Sequence, residues 1–118
     1  MGLFDRFRQP AVSAADAITL VAEGATLLDV RENAEWNAGH APGAIHIPAS
    51  QVAAQASRRL PKERRVIVVC RSGSRARPVT TSLRAQGVDA VNLRGGMRAW
   101  ESSGGRVVGK RNLPGIVT

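Results

Sequence analysis

The chain has one cysteine, two histidines, no tyrosine and few aromatics, and each scarcity removes a class of protein. A single thiol cannot close an internal disulfide, so any stability must come from an ordinary packed core. At 118 residues the chain is long enough to build one. Apart from histidine, only Phe4, Phe7, Trp36 and Trp100 carry aromatic rings, and they do not interleave with the basic residues as a base-stacking surface would. Nucleic acid is therefore not an expected partner, although 17 basic residues against 9 acidic ones give a formal charge of +8 and a sequence pI near 11.6. That balance favours small anions or an acidic protein surface. The longest apolar runs span a few residues, far short of the roughly 20 that cross a bilayer, so no membrane association is expected. MetGlyLeuPheAspArg lacks the apolar core of a secretory signal, and Arg6 stands where N-myristoylation needs Ser or Thr. A reducing, cytoplasmic location is the default expectation, and neither a metal nor a cofactor is called for.

What is present centres on Val66 to Arg77, VIVVCRSGSRAR. Four consecutive β-branched residues read as a strand buried on both faces, and it runs directly into Cys70. Arg71, Ser72, Gly73, Ser74 and Arg75 fit one tight turn, after which helical spacing begins and continues to Gly87. A lone cysteine is commonly just a small buried apolar group. Here its neighbours put a thiol at the carboxyl end of a central strand, inside a loop whose N–H groups open a helix, which is an anion pocket containing a nucleophile. Loop N–H groups and the charges of Arg71 and Arg75 favour the thiolate, while burial opposes it. Gly73 lets successive N–H groups converge, and Ser72 and Ser74 add hydroxyl donors. His40 and His46 lie outside the loop, around a ProGly turn, and are expected to be structural.

The remaining pattern alternates helix and strand. Ser13 with Asp16 resembles a capping box opening a helix that Gly24 ends. Thr26–Val30 reads as a strand ending near Asp29 and Arg31, and Asn33 to Gly39 as a short helix with Asn33 as cap. Ala44–Ile47 reads as a further strand, Ser50 as the cap of a helix to Leu60, and Ala90–Leu93 as another strand. A final helix follows from Arg94. The alternation predicts an α/β domain with a mainly parallel central sheet of about five strands and helices on both faces. Residues 1–10 are expected to be an N-terminal arm, 11–104 the domain, and 105–118 an extension of undetermined path.

Three blocks carry a resemblance to a known family. Leu27 to Pro48 (LLDVRENAEWNAGHAPGAIHIP), Val68 to Ala76 (VVCRSGSRA) and Asn92 to Trp100 (NLRGGMRAW) resemble, in order and spacing, the signatures of single-domain rhodaneses, which are thiosulfate sulfurtransferases of the rhodanese-like superfamily. The resemblance implies Cys70 as catalytic nucleophile and Arg71, Ser72, Gly73, Ser74 and Arg75 as the substrate-binding loop. It implies transfer of sulfane sulfur from a small anionic donor such as thiosulfate, through a Cys70 persulfide, to cyanide or a thiol acceptor. It further implies that Asp29, Arg31 and Glu35 form a structural ion-pair network near the site, and that Gly95 and Gly96 allow a tight turn beside the loop. An alternative with the same loop is a persulfide carrier or interaction module serving a protein sulfur donor or acceptor. Cysteine phosphatases and arsenate reductases are less consistent, because they resemble one another in placing five residues between Cys and Arg; here four separate Cys70 from Arg75, and the next position is Ala76.

Overall fold

The computed structural model describes residues 10–118. The N-terminal arm, with Phe4 and Phe7, lies outside the described residues except for Pro10. The described residues form a five-stranded sheet in the order β1-β5-β4-β2-β3, with every pair parallel. Its strands are β1 (Ala11–Val12), β2 (Thr26–Asp29), β3 (Ile45–His46), β4 (Val66–Val69) and β5 (Ala90–Leu93). Between and after them run α1 (Ala14–Ala22), α2 (Asn33–Ala38), α3 (Val52–Arg59), α4 (Ala76–Ala85) and α5 (Gly96–Ser102).

Strand alternation divides the core into two layers. Leu28, Val66, Val68 and Cys70 face one side and pack with Val52, Ala56, Ala76, Val79 and Leu83 of α3 and α4. Leu27, Ile67, Val69, Val91 and Leu93 face the other and pack with Ala14, Ala17, Met97 and Trp100 of α1 and α5. Both faces of β4 are thus covered, which is why its sequence is continuously apolar instead of alternating. Each such side chain contributes about 1.5–3 kcal/mol by leaving water. The expected helices on both faces are present.

Local signals explain most boundaries. Ser13 Oγ accepts the Asp16 N–H at 3.1 Å and caps α1 as its spacing predicts. The cap of α2 is Glu32, not Asn33: the Glu32 side chain takes the backbone N–H of Glu35, and Glu35 reaches back to the Glu32 N–H at 3.0 Å. Ser50 does not cap α3. It lies inside a 3₁₀ turn, Ala49–Gln51, that follows Pro48 and delays the α-helix to Val52. The last helix likewise opens at Gly96, because Gly95 takes a left-handed conformation at φ 82°. β1, absent from the sequence reading, is held by only two residues beside β5.

The final segment has a definite path. Val108 and His40 exchange backbone hydrogen bonds at 2.8 and 2.9 Å, Ile116 N–H reaches Ala38 O at 3.0 Å, and Trp100 Nε1 donates to Arg106 O at 2.8 Å. The tail therefore crosses the end of α2 and lies along the carboxyl edge of the sheet.

Candidate active site

β4 sits at the centre of the sheet. The chain leaving β2 moves outward to β3 on one side, whereas the chain leaving β4 moves to β5 on the other. Such a divergence opens a crevice at the carboxyl ends of the strands, and Cys70 stands there, one residue beyond β4. Its side chain is 1% exposed. The alternation that sends Val66 and Val68 toward α3 and α4 sends Cys70 the same way.

The turn from Cys70 to Arg75 wraps around the sulfur. Gly73, at φ 114°, directs its N–H to Cys70 Sγ at 3.0 Å. Few side-chain-bearing residues adopt that φ, so glycine is what allows this amide to turn inward. Ser72 and Ser74 face solvent, Arg71 is half-buried, and Arg75 leads into α4. The loop is also held from behind. Met97 N–H donates to Cys70 O at 2.7 Å and Arg98 N–H to Arg71 O at 3.2 Å, so the opening amides of α5 grip the loop's first two carbonyls. This approach requires Gly96: a Cβ there would collide with the Cys70 and Arg71 carbonyls.

Sequence reasoning grouped Asp29, Arg31 and Glu35, but the structure arranges two separate ion pairs. Asp29 and Arg31, both fully buried, make a forked contact: Arg31 Nε lies 3.0 and 3.1 Å from the two carboxylate oxygens and Nη2 lies 2.7 Å from Oδ2. Arg31 Nη2 also donates to Gly39 O at 2.7 Å, tying β2 to the end of α2. Glu35 instead pairs with Arg75, through Oε1 to Nη1 at 2.6 Å and Oε2 to Nη2 at 2.8 Å. The Arg75 guanidinium, the largest influence, holds the Glu35 carboxyl at about 2; the Glu32 N–H assists, and burial opposes. Arg75 is in turn pushed above its ordinary value, chiefly by Glu35 and with a smaller contribution from Cys70. Its charge thus stays beside the thiol while its hydrogen-bonding fork is committed to Glu35. Arg71 takes a different path, with Nε donating to Thr118 O at 2.7 Å.

Of the residues picked from sequence, Cys70 through Arg75 form the loop as a unit. His40 and His46 instead sandwich Trp36, with ring centroids 3.7 and 4.7 Å away and planes within 8° of parallel. Each imidazole also bonds backbone: His40 Nδ1 with Trp36 O, and His46 Nε2 with Arg31 O, both at 2.8 Å. Sequence reasoning did not find the Trp36 stack, whose only signal was the aromatic's place just before the ProGly turn. Among the described residues no three His, Cys, Asp or Glu side chains gather as metal ligands would, and no helix is long and apolar enough to cross a membrane.

A central parallel strand delivering a buried cysteine into a tight turn, with α4 following the turn and α5 behind it, defines a class of α/β domain built around an enclosed thiol. Comparison with known proteins narrows it. The rhodanese-like domain family matches residues 13–103, and the chain belongs to that family. It is 39% identical over 83 residues to a sulfurtransferase of Allochromatium vinosum, spanning 70% of this chain and 77% of that one. It is 40% identical over 75 residues to YtwF of Bacillus subtilis, named a candidate sulfurtransferase, spanning 64% and 72% respectively. Among solved structures, a rhodanese-related protein of Thermoplasma volcanium superposes with a TM-score of 0.78 at 29% identity, covering 84% of this chain and 97% of that one.

Proposed function

We propose that this chain is a sulfurtransferase that carries sulfane sulfur on Cys70. The observation that supports it most is the enclosed thiol: Cys70, buried just beyond the end of β4, receives the Gly73 N–H on Sγ at 3.0 Å, inside a turn with four residues between Cys70 and Arg75. The sulfurtransferase names of its relatives point the same way.

In this reading the Cys70 thiolate attacks the outer sulfur of thiosulfate. A Cys70 S–S bond forms, the donor's S–S bond breaks, and its electron pair leaves with sulfite. The persulfide's terminal sulfur, now anionic, sits among the amides of residues 71–75, which act as fixed donors at the point where the charge resides. Ser72 and Ser74 bring hydroxyls to the same opening. Arg71 and Arg75 supply positive charge to a dianionic donor, Arg71 by recognition at the rim and Arg75 through the field it exerts while paired to Glu35. Cyanide or a thiolate then attacks the outer sulfur; its new bond to sulfur forms, the Cys70 S–S bond breaks, and the electron pair returns to Cys70. No histidine acts as base in this reading, since His40 and His46 stack on Trp36 and bond the backbone carbonyls of Trp36 and Arg31.

Neither step requires a metal or a cofactor, and a cytoplasmic setting suits a free thiol of this kind. The function is tested by thiocyanate formation from thiosulfate and cyanide. Parallel double-reciprocal lines, abolished by Cys70→Ser, are the expected outcome. Hydrolysis of an aryl phosphate by the native protein but not by Cys70→Ser would overturn the reading in favour of a phosphatase.

A further inference from the structure

The segment after residue 103, where the family match ends, is folded by its own backbone bonds. Val108 bridges antiparallel to His40 on one side and to Pro114 on the other. Between them the chain turns through Lys110–Asn112 and comes back, with Gly109 N–H on Leu113 O at 2.6 Å and Gly115 N–H on Val107 O at 3.2 Å. Ile116 N–H then bonds Ala38 O, and the Ile116 backbone fills the place where a Cβ on Gly39 would stand. Gly115 is equally confined: a Cβ there would overlap Val108, Gly109 and Gly39, although its φ lies outside the left-handed region. These contacts seat the segment on the end of α2 without help from the thiol loop. It nevertheless meets that loop, because Arg71 Nε donates to Thr118 O at 2.7 Å.

Arg71 directly follows Cys70, and both its main chain and its side chain are held. Its carbonyl accepts the Arg98 N–H at 3.2 Å, while its guanidinium is anchored through Nε. Nη1 and Nη2 bond to no described residue. Arg75 differs, with both Nη atoms on Glu35. Of the two loop arginines, Arg71 is therefore the one that keeps a forked donor edge for an anion. Ordering a long side chain before its ligand arrives removes that cost from binding. Resting on the sulfur-transfer reading, we propose that the segment from Val107 to Thr118 positions Arg71, holding its remaining donors toward the anionic sulfur donor at the mouth of the loop. Thr118 O fixes the guanidinium at Nε, and Gly39 and Gly115 let the segment lie close enough to do so.

The test uses the intact chain and Gly115→Ala, which pushes the segment off its seat without straining its own φ. The second-order rate of persulfide loading from thiosulfate should fall about twofold to tenfold, the effect of having to order one long side chain on binding. Discharge of the loaded protein by cyanide should be unchanged. In an Arg71→Ala background, Gly115→Ala should have no further effect on loading, whereas a merely structural role would lower both backgrounds alike. Alkylation of unloaded Cys70 supplies a readout free of sulfur transfer: the ratio of iodoacetate to iodoacetamide rates should fall in Gly115→Ala, and the double variant should match Arg71→Ala. In the native protein the Arg71 Nε–H should exchange slowly with solvent, a measurement that stands even where Gly115→Ala fails to fold. Equal losses in both backgrounds, an unchanged alkylation ratio or a fast-exchanging Nε–H would overturn the inference and leave sulfur transfer intact. Faster loading by Gly115→Ala would also overturn it, by making the segment a competitor for Arg71. Native protein that does not load, with the alkylation ratio still responding through Arg71, would refute sulfur transfer and uphold the segment's hold on the arginine.

Discussion

Gly96→Ala is the perturbation that most sharply probes how the loop is held. Gly96 has φ 62°, and a Cβ there would overlap the Cys70 and Arg71 carbonyls, which are backbone atoms of the very turn that encloses the thiol. Holding alanine in the left-handed region costs about 1–2 kcal/mol. Relieving the overlap by displacing the loop adds about 1–3 kcal/mol, and the Met97 and Arg98 hydrogen bonds to those carbonyls lengthen with it. The total is about 2–5 kcal/mol, or a fall in Tm of roughly 8–20 °C at about 4 °C per kcal/mol for a domain of this size. Gly43→Ala supplies the reference, because Gly43 has φ 78° and open space around its missing Cβ, leaving only the backbone cost. Urea unfolding followed by tryptophan fluorescence gives both values. Persulfide loading of Gly96→Ala should also fall well beyond its loss of stability, since the displaced turn no longer holds the Gly73 N–H on Sγ. If Gly96→Ala proved no more costly than Gly43→Ala and loaded normally, the claim that α5 seats the loop would be wrong.

Other expectations follow from the two ion pairs. Arg31→Met leaves the fully buried Asp29 carboxylate without its partner and should cost about 3–5 kcal/mol in urea unfolding, most of it recovered in the double variant Asp29→Leu/Arg31→Met. Glu35 is held at about 2 in the fold against an ordinary 4.5. Its contribution to stability is therefore fully present above pH 4.5 and drains away as pH falls through about 2. Glu35→Gln should flatten that part of the acid-unfolding profile; an unchanged profile would mean that the pair contributes nothing. In Arg71→Ala the KM for thiosulfate should rise about tenfold as one charge-assisted contact is lost, with discharge to cyanide unchanged; an equal drop in both half-reactions would point to a distorted loop instead.

The sequence was most readable where a single residue type decides the outcome locally. The β-branched run Val66–Val69 marks a strand buried on both faces, and Ser13 and Asp16 mark a helix start, because strand pairing and capping act through near neighbours. The loop from Cys70 to Arg75 was legible for the same reason. What escaped depends on residues far apart in the chain. Gly39 reads as a helix stop, yet its φ of 175° suits any residue; glycine is needed because the Ile116 backbone passes where a Cβ would lie. Arg75 reads as a ligand for the substrate, whereas its fork is spent on Glu35, a partner 40 positions away. Glu35 in turn serves both the α2 cap and that pair, and no local pattern separates the two roles. The Trp36 stack and β1 were missed likewise: the first is created by the turn that brings both histidines to one ring, and the second is two residues long.

The central claim is that Cys70 carries the sulfur, and intact-mass measurement tests it most directly. After incubation with thiosulfate and removal of excess donor, the native chain should gain the mass of one sulfur atom, cyanide should remove it as thiocyanate, and Cys70→Ser should gain nothing. A native protein whose mass stays unchanged across thiosulfate and other sulfane donors, or a Cys70→Ser variant that still takes up sulfur, would contradict the account.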